Sequence, residues 1–110
     1  MVDLAYLEMM WRELANSYGD NPKHIDTWFG NIIDAYSEPH RHYHNLNHIT
    51  QVIQDLHTIA KREKINDPRW IEWAAWFHDY CYEPGNPNNE QNSAEVAEKC
   101  LSMLGFGELT

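Results

Sequence analysis

An all-α domain of about five helices is what this sequence predicts, on three observations. Apolar residues recur at three-to-four spacing along almost the whole chain. No stretch alternates apolar and polar residues in the way a half-buried strand does. Asn21-Pro22 and Asp67-Pro68 each set a capping side chain before a proline, a pairing that opens helices because a first-turn residue has no use for its N–H. A length of 110 residues suits a single domain, residues 1–110. Five Trp and six Tyr are too many large rings for a disordered chain.

Taken in order, Asp3 caps a first helix reaching about Tyr18, with Leu7, Trp11, Leu14 and Tyr18 on one face and Gly19-Asp20 as its stop. The second helix follows Asn21-Pro22 and buries Ile25, Trp28, Phe29, Ile32, Ile33 and Tyr36. The third runs from near Leu46 to about Glu63, with Ile49, Val52, Ile53, Leu56 and Ala60 inward. Asp67-Pro68 opens a fourth, to about Tyr80, whose buried side carries Trp70, Ile71, Ala74, Phe77 and His78. The segment EPGNPNN, Glu83 to Asn89, is a loop. A fifth helix from about Glu90 to Leu104 turns Ala94, Ala97, Cys100, Leu101 and Leu104 inward, and Gly105 stops it.

Lys plus Arg number 8 and Asp plus Glu 17, a formal charge of −9. That balance excludes a grip on a nucleic-acid duplex through its phosphates, which needs clustered cations. Nothing approaches 18 consecutive apolar residues, so no membrane span is expected. Met1-Val2-Asp3 lacks the basic and apolar start of a signal peptide. Two cysteines, Cys81 and Cys100, make no disulfide framework, and a cytoplasmic, reducing compartment suits them.

The chemistry concentrates in histidine. Four of seven lie in PHRHYHNLNHI, between His40 and His48, and His78 is followed directly by Asp79. The third helix leads away from His48 for roughly 22 Å at 1.5 Å per residue, and the fourth returns roughly 17 Å to Asp79. The turn between them is short, which favours antiparallel neighbours. His48, His78 and Asp79 therefore meet at one end of a helix pair. Two imidazoles and a carboxylate suit a divalent transition metal such as Mn, Fe, Co, Ni or Zn, with positions left open for water and substrate. His44, four residues earlier, is a further ligand or a substrate contact. A lone histidine on an apolar face is more often a hydrogen-bonded core residue. His24, His40, His42 and His57 are accordingly read as surface or capping residues, His57 with no partner. A structural cluster of His40, His42, His44 and His48 alone would need a closed four-ligand shell, and alternating positions on a helix cannot all point one way.

NHITQV and AAWFHDYCYEP resemble the two halves of the motif of the HD superfamily of metal-dependent phosphohydrolases. Ile49 and Val52 follow His48 at plus one and plus four, and Ala74, Ala75, Trp76 and Phe77 lead into His78-Asp79. YSEPHRHYHNLNHI, FHDYCYEP and NEQNSAE resemble, more narrowly, an uncharacterised bacterial branch of it. The resemblance implies an HD-like helical bundle, a metal held by His48, His78 and Asp79, and water activated to attack a small phosphorylated substrate. It places Arg41 nearby as a phosphate clamp and His44 as a substrate contact. Glu90 orients a ligand or water, or is simply a carboxylate favoured at a helix start.

The superfamily completes its site with a further, downstream Asp, and no Asp follows Asp79 here. The branch is also longer, which implies a chain cut short of the full family pattern. A fragment, a site completed by a glutamate or a second chain, and a catalytically inert module that self-associates and binds metal or nucleotide all fit this departure. Trp70, Trp73, Trp76 and Phe77 surround most of the fourth helix with apolar surface. That predicts a homo-oligomer, or one compact aromatic core.

Overall fold

Helices start where a side chain replaces a missing backbone partner. Asp3 accepts the Tyr6 N–H at 3.1 Å and opens α1, Leu4–Tyr18. Asn21 accepts the His24 N–H at 3.3 Å and opens α2, Pro22–Tyr36. Asn45 accepts the His48 N–H at 3.1 Å and opens α3, Leu46–Arg62. Asp67 takes the Arg69 N–H at 3.1 Å ahead of α4, Arg69–Phe77. The last helix, α5, spans Asn89–Met103. The computed structural model describes residues 3–19 and 21–104. Asp20, Gly105, Met1 and Val2 lie outside the described residues. Among those described there are five helices and no strand, so the fold is all-α. None of these helices is long and apolar enough to cross a membrane.

The α3–α4 turn is tight. The Ile65 N–H reaches back to the Ala60 carbonyl at 3.0 Å, and Lys64 takes a left-handed φ of 53°. A non-glycine residue there costs about 1 kcal/mol. The turn lays α4 back along α3, while α5 packs on α4 and α1 lies against α2 and α4.

The core is aromatic. Trp11 is fully buried, its ring centroid 5.2 Å from Trp73 and 5.6 Å from Trp76, and its indole N–H donates to the Ile25 carbonyl at 3.0 Å. Trp73 donates to the Ala97 carbonyl at 3.1 Å and so ties α4 to α5. Burying these large rings with their N–H groups satisfied is the main stabilising feature of the fold.

Three expectations are corrected. The buried side of α4 is Glu72, Trp73, Trp76 and Phe77; Trp70, Ile71, Ala74 and His78 are exposed. Apolar residues ring this helix, so periodicity alone cannot choose a face, and stacking on Trp11 chooses it. On α5, Ser93 and Cys100 are buried while Ala94 is exposed. Helix α4 ends at Phe77, not Tyr80, which puts Asp79 in a turn. Because Trp73, Trp76 and Phe77 fill the core of one chain, only Trp70 of the four aromatics that predicted an oligomer stays exposed.

Candidate metal centre

Both ends of the α3–α4 hairpin carry histidine, but only one end gathers it. His44 lies just before α3, His48 in its first turn, and His78 and Asp79 just past α4. One oxygen, Asp79 Oδ2, is 2.8 Å from His44 Nδ1, 3.0 Å from His78 Nε2 and 3.6 Å from His48 Nε2. The His48 and His78 ring centroids are 5.6 Å apart, as are those of His44 and His48. His48 and His78 both approach Asp79, as expected, but the set that closes tightly on itself has His44 in place of His78. His44, His48 and Asp79 each offer a ligand atom within 4.8 Å of the other two.

The donor set fits a cation. His78 Nδ1 lies 2.6 Å from the Ala75 carbonyl, which can only accept, so that nitrogen carries the proton. In the neutral ring Nε2 then presents a lone pair to the Asp79 carboxylate at 3.0 Å. That contact is satisfied by a proton on Nε2 or by a cation shared between the two atoms. Ligand atoms about 2.1 Å from a metal, at tetrahedral or octahedral angles, lie roughly 3.0–3.4 Å apart, close to the spacings around Asp79. Burial, reinforced by the neighbouring imidazoles of His78 and His44 against the pull of Asp79, holds the His48 pKa below its usual value. A neutral imidazole is the form that ligates a metal.

Arg41 is no phosphate clamp. Its side chain is fully buried and four of its five N–H donors are bonded within the protein. Nε donates to Glu38 at 2.7 Å, Nη1 to the Asp79 carbonyl at 2.5 Å and the His44 carbonyl at 3.2 Å, and Nη2 to the Tyr80 carbonyl at 2.6 Å. The guanidinium also lies over the Tyr36 and Tyr82 rings. It is a strut that joins the backbone carrying His44 to the backbone carrying Asp79. The fork of donors that suits phosphate suits converging carbonyls equally well.

Sequence reasoning missed two further supports. The Tyr36 hydroxyl donates to the Trp76 carbonyl at 2.8 Å and accepts the Asp79 N–H at 3.3 Å, and its burial pushes its pKa up strongly. Ser93 accepts the Cys81 N–H at 2.9 Å and pins α5 beneath the turn. Tyr36 was legible only as a buried ring, and nothing in the pattern showed what its hydroxyl holds. Asn89 accepts the Glu83 N–H at 3.1 Å and closes the EPGNPNN loop.

The other expected site residues fall apart from the cluster. Glu90 is exposed in the first turn of α5, lining a groove with His78 and Asp79. His40 bonds the Tyr82 carbonyl at 2.8 Å and His42 is exposed, so the all-histidine cluster of residues 40, 42, 44 and 48 is not assembled. His57, expected to have no partner, pairs with buried Glu72 at 2.8 Å. No family profile, curated protein or solved structure matches the chain.

Proposed function

We propose that this domain is a metal-dependent phosphohydrolase of the HD type, acting on a small phosphomonoester or nucleotide-like phosphoester. The observation that carries the reading is the convergence of three imidazole nitrogens on one Asp79 oxygen, at 2.8, 3.0 and 3.6 Å. His44, His48 and Asp79 would hold a divalent transition metal (Mn, Fe, Co, Ni or Zn), with His78, the ligand the resemblance implies, beside them on the same Asp79 oxygen. When bound, that ion supplies Lewis acidity toward water and toward a phosphoryl oxygen. The chain's own residues do the rest. Ala75 fixes the His78 tautomer through its carbonyl, Arg41 and Tyr36 fix the turn that presents Asp79, and Glu90 lines the approach and orients a ligand or water. The chain's charge of −9 opposes an anionic substrate at long range, so attraction must come from the cation at short range.

Metal analysis of the purified protein beside Asp79→Ala tests this. The expected outcome is about one transition metal per chain, absent from the variant together with phosphatase activity. Metal retained by Asp79→Ala with turnover unchanged overturns the assignment. Metal bound without turnover of any phosphoester leaves a binding module instead of an enzyme.

A further inference from the structure

We infer that the groove between α4 and α5 takes the leaving group, and that the substrate is a single-phosphate ester of an aromatic or otherwise apolar alcohol. This rests on the metal-centre reading and names its substrate class. The groove has a volume of about 510 Å³, inside the range of roughly 300–1,000 Å³ typical of small-molecule sites. Its lining includes His78 and Asp79, so one end of it borders the centre. Trp70, Ala74 and Phe77 form one wall, and Ala94, Ala97 and Leu101 the other. Phe77 and Ala94 are the apolar residues nearest to His78 along the two helices.

Charge narrows the class further. Two glutamates, Glu90 and Glu98, line the groove, and no Lys or Arg does. A phosphate at the centre is balanced by a divalent ion against the one carboxylate of Asp79. A second phosphate, or any carboxylate, would lie in the groove against two glutamates with no cation to offset them. Polyphosphates are therefore poor occupants and a neutral ring is a good one. A second cavity, of about 450 Å³, has Asp34, Glu38 and Glu83 in its walls and shares neither His78 nor Asp79.

Calorimetric titration of the cobalt-loaded protein with non-hydrolysable phosphonates tests this without relying on turnover. Benzylphosphonate is expected to bind at least ~10-fold tighter than methylphosphonate, since burying a ring in apolar walls is favourable. A carboxylate in the para position should cancel that gain. Ala94→Trp, which fills the groove from an exposed position, should remove the benzyl preference with bound cobalt unchanged. Equal affinity for the benzyl and methyl compounds, with cobalt bound, overturns the groove assignment alone. A preference that survives Ala94→Trp puts the ring elsewhere and also overturns it. Failure to bind cobalt at all removes the metal reading and the groove assignment with it.

Discussion

Two imidazole–carboxylate contacts of 2.8 Å, His44–Asp79 and His57–Glu72, join the α3 and α4 segments at opposite ends of the hairpin. The chemical groups and distances are the same, but the surroundings are not. At the Glu72 end one imidazole meets one carboxylate oxygen, and the Trp76 indole N–H reaches the other at 3.4 Å. Donors and acceptors balance, and the carboxylate is buried, its side chain 7% exposed. At the Asp79 end three imidazoles crowd one oxygen, one of them with its proton committed elsewhere, and the carboxylate is more open at 19%. A closed pair stabilises or strains a fold; a cluster short of protons asks for a cation. Stoichiometry around the oxygen, not the bare presence of His beside Asp or Glu, separates a site from a structural contact.

The largest expected effect would break this contrast outright. His48→Ala should weaken cobalt binding by about 1,000-fold, or about 4 kcal/mol at 1.4 kcal/mol per tenfold, while His57→Ala leaves it unchanged. Competition against a chelating dye reads both, and equal losses would mean that the two ends do not differ. Next comes Arg41→Ala, which strips a buried cation from three carbonyls at once. It should cost about 3 kcal/mol in urea unfolding and weaken metal binding as well. Stability close to that of the parent protein would show that the turn carrying Asp79 holds without its strut.

The smallest effect sharpens the Glu72 side. Burial, the dominant cause, raises the Glu72 pKa despite the opposing pull of His57. The fold therefore binds the protonated acid better than the unfolded chain does. Stability falls as pH rises from the ordinary carboxylate range through that raised pKa, and the full cost applies above it. Glu72→Gln should raise Tm at pH 7 by about 4 °C, a shift equivalent to roughly 1 kcal/mol. The gain should shrink toward zero below pH ~4, where both states of the parent protein carry a neutral acid. A drop in Tm at pH 7 would show that the ion pair with His57 outweighs desolvation.

Helix class, order and starts were legible, the starts of α1, α2 and α4 because caps and prolines act within one turn of chain. The approach of His48 and His78 to Asp79 was legible too, since two helix lengths and a short turn determine it, but not that His44 would complete the tighter set. What depended on distant partners was not. The face of α4 follows from Trp11, some sixty residues earlier in the chain. Glu72 reads as a solvent residue until His57 is placed opposite it. Arg41 reads as a ligand for anions until the carbonyls of Asp79 and Tyr80 arrive from nearly forty residues away.

Gly19 carries one last consequence. A Cβ there would collide with the Leu104 carbonyl oxygen, although the backbone at φ −169° is extended and open to any residue. The end of α1 and the end of α5 are thus held apart by a hydrogen atom. Leu104 lies one turn beyond Leu101, which lines the groove. The far end of the groove, away from the histidines, is therefore gauged at a seam outside it, and a single methyl group at position 19 would act there as a wedge driven in from behind.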